Sequence, residues 1–203
     1  MSEAGGTGSE KISMQLQDKY RIAVLSAYAL VLHGFEAVLP MPIPWLKLGL
    51  ANIITVIALL LFNFRIAMTV TLIRVILSSM FTGTFLGPSF VLSLGGGVAS
   101  TLAIGFSHAF FSIRGRSIFG PVGLSLIGSF FHNISQLTLA YFLFIQRIEA
   151  IFIISPVIIL IGTATGLVNG LIADILLKNI SGPEMGNAPI TGKDKKIQDR
   201  YDV

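Results

Sequence analysis

The chain contains no cysteine. Disulfides, thiol nucleophiles and iron–sulfur ligation are therefore excluded. Charge is scarce as well: Asp, Glu, Lys and Arg make up 12% of the 203 residues, against about 25% in soluble domains. No Gly-rich run ends in Gly-Lys-Ser/Thr, and no GxGxxG follows a strand pattern, so no nucleotide-driven motor is encoded here. No basic stripe interleaved with aromatics exists, which argues against nucleic acid as a partner. The first twenty residues lack a hydrophobic run, so no cleaved signal is expected.

What fills the chain is apolar. Hydrophobic residues make up 53% of it and the mean hydropathy is +0.82, the composition of an integral membrane protein with the lipid bilayer as its main partner. Six spans are expected, over Ile22–Leu39, Trp45–Phe62, Ile66–Phe81, Pro88–Ile113, Phe119–Ile145 and Ala150–Leu177. They predict an all-α bundle of six transmembrane helices over residues 22–178, between disordered cytoplasmic tails at 1–21 and 179–203. The tails hold seven basic and seven acidic residues, so the net charge of +4 belongs to the membrane part.

Loop charge sets the orientation. With the N-terminus inside, eleven Lys and Arg fall on the inner face and only Lys47 and Arg147 on the outer. A multi-pass protein of the bacterial cytoplasmic membrane with both termini cytoplasmic is expected; five spans, with one long segment re-entrant, are the alternative. Small residues recur every fourth position: Ser93, Gly97, Thr101 and Gly105 on the fourth span, Gly162, Gly166 and Gly170 on the sixth, and Ala23 and Ala27 on the first. Such faces let helices approach closely in lipid. The run Gly95-Gly96-Gly97 reads as a kink or a packing site.

Arg74 falls about halfway along the third span. A charge at that depth costs roughly 3 kcal/mol on insertion scales and persists where it faces a bundle interior, a cavity or an anionic partner. Apart from Asn169 and Asp174 on the inner half and His108 near that face, the other candidate polar groups of the membrane part gather between mid-depth and the outer half. They are His33 and Glu36 on one face of the first span, Lys47 and Asn52 around the start of the second, and His132, Asn133 and Gln136 on the fifth. A stiff Pro40-Met41-Pro42-Ile43-Pro44 segment precedes Lys47 and reads as a lid. Two readings follow: a ligand cavity open to the outside, or interhelical bonds, including a Glu36–Arg74 pair, that merely hold the bundle. No local spacing of His33, Glu36 and His132 supports a metal, and neither metal nor cofactor is expected.

The runs Lys47-Leu48-Gly49-Leu50-Ala51-Asn52-Ile53, Gly83-Thr84-Phe85-Leu86-Gly87-Pro88-Ser89-Phe90, Ser93-Leu94-Gly95-Gly96 and His132-Asn133-Ile134-Ser135-Gln136, together with Arg74, resemble the Gx transporter family, often named heptaprenyl diphosphate synthase component I. That family in turn resembles the S components of energy-coupling-factor (ECF) transporters. The resemblance implies six spans, an outward pocket under a first-loop lid, and capture of a small polar or anionic ligand. It also implies a transmembrane coupling subunit with its ATPases as partner, docked on Ala23 and Ala27. The synthase name implies a different context, a non-catalytic membrane component beside a soluble prenyl synthase subunit. Catalysis by this chain is not expected, because prenyl synthases carry paired aspartate-rich motifs and no two acidic residues are adjacent here. A membrane subunit of a flavin- or quinone-linked redox assembly is the third reading.

Overall fold

The computed structural model describes residues 6–38, 50, 52–113, 116–117, 119–146 and 148–181. Among these residues six helices follow one another: α1 (Gly6–Val38), α2 (Asn52–Leu61), α3 (Phe64–Phe81), α4 (Pro88–Phe110), α5 (Pro121–Ala140) and α6 (Ile148–Ser181). Between α4 and α5 lies a small antiparallel pair, β1 (Ser112–Ile113) and β2 (Arg116–Ser117), with Ser112 opposite Ser117 and Ile113 opposite Arg116. Three helical stretches, Phe64–Phe81, Pro88–Phe110 and Ile151–Asn179, are long and apolar enough to cross a membrane. Among the described residues the secondary structure is thus all-helical apart from that pair, and the protein is a membrane protein.

Several boundaries differ from the sequence reading. α1 begins at Gly6, not Ile22; residues 9–21 contain no proline or glycine, so the helix runs on through a charged segment expected to be disordered. α4 stops at Phe110, not Ile113, because the chain turns into the β pair. α2 is described only from Asn52, and its ten residues span about 15 Å at 1.5 Å per residue, half the hydrocarbon thickness. The lid Pro40–Pro44, Lys47 and the C-terminal tail from residue 182 lie outside the described residues.

Local signals fix the turns. The Ile66 amide donates to Asn63 Oδ1 at 2.9 Å, capping α3, and Pro88 and Pro121 open α4 and α5 at positions with no amide partner to lose. At the end of α3, Gly83 adopts φ +67°. Its amide donates to the Met80 carbonyl and that of Thr84 to the Ser79 carbonyl, which closes the helix as a Schellman motif. α5 widens into a π-helical turn, Tyr141–Ile145, and Gln146 ends it in the left-handed region at φ 49°.

α2 lies at the centre. Ile53 through Leu59 are all buried, as expected of a helix that is apolar on every side. α2 packs against each of the other five helices, and α1, α3, α4, α5 and α6 form an arc around it in that order. Small residues permit the approach. Gly166 of α6 sits against Ser129 of α5, and Ser125 Oγ donates to the Gly166 carbonyl at 2.8 Å. A β-carbon on Gly170 would come 2.6 Å from Val122 Cα. Gly105 of α4 receives the ring of Phe64. Gly105 of the fourth span and Gly166 and Gly170 of the sixth are therefore used in packing within the chain.

Candidate functional site

Consecutive residues of a helix point about 100° apart, and α4 exploits this at Gly95-Gly96-Gly97. A β-carbon on Gly97 would stand 3.1 Å from Thr71 Cγ2 and 3.7 Å from Arg74 Nη2, so Gly97 faces α3. One on Gly96 would stand 2.8 Å from His132 Cε1 and 3.0 Å from Gln136 Cγ, so Gly96 faces α5. Gly95 meets Leu139 and Ser135 of the same helix. The glycine run is a packing site inside one continuous helix. It holds Arg74, 7% exposed, on one side of α4 and His132 with Gln136 on the other.

A buried hydroxyl chain leads to the Arg74 side. Thr101 Oγ1 donates to the Gly97 carbonyl at 2.8 Å. Having spent its one proton, Thr101 accepts from Thr71 Oγ1 at 3.1 Å, and Thr71 accepts in turn from Thr55 Oγ1 at 3.0 Å. Three helices are joined, and every hydroxyl of the chain has a partner, as a low-dielectric interior requires.

The remaining predicted residues are distributed as follows. His33 is half-buried on α1, and Glu36 is on the same helix with its side chain outside the described residues. Asn52 opens α2, with its Nδ2 3.4 Å from where a Gly128 β-carbon would stand; Ser100 Oγ is 2.9 Å from that point. Asn133 does not join His132 and Gln136. It turns to α6 against Gly162, and its Nδ2 donates to the Ser129 carbonyl at 2.8 Å. Ala23 and Ala27 are both exposed on α1, on the face that also shows Tyr20 and Val31, while Ser26 and Ala29 of the opposite face are buried.

A cavity of about 390 Å³ opens at the end of the bundle that carries the α3–α4 and α5–α6 turns. α4 contributes Pro88, Ser89, Leu92 and Ser93, α5 contributes Gln136, Leu137 and Ala140, the π-helical turn Phe144, and α6 Ile151, Ile154 and Ile158. Among the described residues singled out from the sequence as ligand-binding, Gln136 appears in this lining and His33, Asn52, Arg74, His132 and Asn133 do not. Ser89 and Ser93, which the sequence reading does not place among the ligand-binding candidates, line the cavity as well. They are four apart on one helix face, directly after a helix-opening proline. Among the described residues no cluster of three or more His, Asp or Glu forms a metal site.

This helical arrangement is shared with a solved protein. A structure described as "Structure and mechanism of the S component of a bacterial ECF transporter" superposes with a TM-score of 0.65 at 20% identity, covering 82% of this chain and 96% of that one. The fold is therefore that of a transporter S component. The family model for heptaprenyl diphosphate synthase component I matches residues 25–176, and the chain belongs to that family. No curated protein matches it.

Proposed function

We propose that this protein is a substrate-capturing membrane subunit of the S-component kind. It takes a small molecule into the α4–α5–α6 cavity from the outer side and hands it on with a transmembrane coupling subunit and its ATPases. The observation that carries the reading is the cavity itself: a concave, preformed space with a few convergent polar groups, at the end of the bundle that the Lys and Arg distribution assigns to the outside. The S-component fold supports it. Six spans, with both termini cytoplasmic, belong to this proposal, as does a lid role for the segment around Lys47.

The test is native mass spectrometry of the full chain in mild detergent, with and without co-expressed coupling subunit and ATPases. A retained small molecule and a stable complex are the expected result. A chain that retains no small molecule and assembles with no coupling subunit refutes capture. The family name supports a second reading, a non-catalytic membrane component beside a soluble prenyl synthase subunit. Co-purification with such a subunit, in place of the coupling subunit, would favour it.

A further inference from the structure

α6 is packed in two different ways along its length. Its inner part is seated on α5 through glycines: Gly162 lies against Asn133, Gly166 against Ser129, and a β-carbon on Gly170 would come 2.6 Å from Val122 Cα. Outward of Gly162 the helix has no further glycine, and Ile158, Ile154 and Ile151 line the cavity of about 390 Å³. The opposite side of this stretch faces the exterior, with Phe152 71% and Ile153 75% exposed. The outer part of α6 is therefore a wall with open space on one side and the lipid region on the other.

The backbone is weakened at both ends of that wall. Pro156 lies inside α6. Proline has no amide proton, and its ring crowds the carbonyl four residues earlier, here that of Phe152. Ser155 Oγ donates to this carbonyl at 3.3 Å, a side chain supplying what the backbone ladder lost, as proline inside a membrane helix requires. Both partners of that bond precede Pro156, so it satisfies the carbonyl without tying the two parts of the helix together. At the other end α5 widens into the π-helical turn, where the Gln146 amide donates to the Tyr141 carbonyl at 3.1 Å. Gln146 itself takes φ 49°, a left-handed conformation that is unfavourable for a residue with a side chain. Sharp kinks in helices form at prolines and at π-bulges, and one of each flanks Ile148–Ser155. Phe144 of the π-helical turn lines the same cavity.

We infer that Ile148–Ser155 is a movable wall of the cavity, hinged at Pro156 and at the π-helical turn. At 1.5 Å per residue the segment is about 12 Å long, so a change of about 20° in the kink moves its outer end by about 4 Å. The outward position widens the cavity to admit a molecule, and the inward position brings Ile151 and Ile154 down onto it. This regulation of the site rests on the capture reading.

The chain contains no cysteine, so spin labels can be placed on chosen pairs in the full chain in lipid nanodiscs. Ile153→Cys with Leu102→Cys measures the wall against α4, and Val168→Cys with Leu102→Cys measures the inner part of α6 as a control; all three sites are exposed. Expected is a distance distribution for the wall pair that is broader than the control by about 4 Å. Pro156→Ala restores the amide and should narrow it to the width of the control. Ala140→Trp, which enlarges a side chain of the α5 wall of the cavity, should displace the wall pair and leave the control pair unchanged. Circular dichroism melting confirms that both variants fold, and the comparison of wall and control pairs needs neither of them. A wall pair as narrow as the control, or a breadth that Pro156→Ala leaves unchanged, overturns the hinge. A folded Ala140→Trp variant that leaves the wall pair in place overturns its coupling to the cavity. Capture fails on a different result, a chain that retains no small molecule and assembles with no coupling subunit.

Discussion

The imidazole of His132 rests against the backbone of Gly96: a β-carbon at position 96 would come 2.8 Å from Cε1 and 2.9 Å from Nδ1. Because the obstacle is the end of a side chain, Gly96→Ala is expected to displace the ring and cost about 1–3 kcal/mol of stability by overpacking. Gly170 is a stricter case, since its obstacle is Val122 Cα, a backbone atom 2.6 Å away. Gly170→Ala should therefore separate α5 from α6 and lower the melting temperature more than Gly96→Ala. Gly34 on α1 has nothing within 4 Å of its β-carbon position. Gly34→Ala should leave the isolated protein unchanged or up to about 1 kcal/mol more stable, as in any open helix position. Melting curves in detergent rank the three, and damage at Gly34 equal to that at Gly170 would contradict the packing described.

The threonine chain makes a directional prediction. Thr71→Val removes the acceptor of Thr55 and the donor to Thr101 at once, so it should cost more than Thr55→Val, which removes only the terminal donor. The expected loss for Thr71→Val is about 1 kcal/mol, as interhelical hydrogen bonds in membranes average less than that and an orphaned hydroxyl adds to it. The double variant Thr55→Val/Thr71→Val should be less than additive. Strict additivity in a double-mutant cycle would show that the two hydroxyls are not coupled.

Ala23 and Ala27 are exposed on α1. Leucine at both should leave the isolated chain folded and able to bind ligand, because no neighbour among the described residues is crowded. It should abolish association with a coupling subunit, since close helix approach depends on small residues. Co-purification before and after the double exchange reads this directly. Misfolding of the isolated variant would mean that the face is internal.

Orientation is tested by reporter fusions. Fusions after Asn63 and at the C-terminus should report the cytoplasm, and one after Met41 the outside, given eleven basic residues on one face against two. An outside C-terminus would invert the cavity and reverse the direction of capture.

Periodicity and composition alone determined that this is a helical membrane protein, where its six helical segments fall, and that Gly and Pro mark their turns. These properties are local: hydropathy is summed along the chain, and a capping Asn63 or a helix-opening Pro88 acts on its own next few residues. Even so, the start of α1 at Gly6 and the end of α4 at Phe110 escaped, because helix propensity ignores charge runs and the β pair depends on two short segments meeting. The site was less legible. Arg74, His132 and Gln136 were readable as anomalies in apolar helices, yet nothing in the linear pattern says that α4 separates Arg74 from the other two. That follows from Gly97 and Gly96 pointing to different neighbours, and neighbours are assigned by tertiary packing. Asn133 adjoins His132 in sequence and faces α6 instead, because one residue along a helix turns a side chain by about 100°. The cavity is likewise a product of packing. Its walls come from three helices and a π-helical turn, and residues such as Leu137 and Ile154 are ordinary aliphatics until those elements meet around a space that none of them fills.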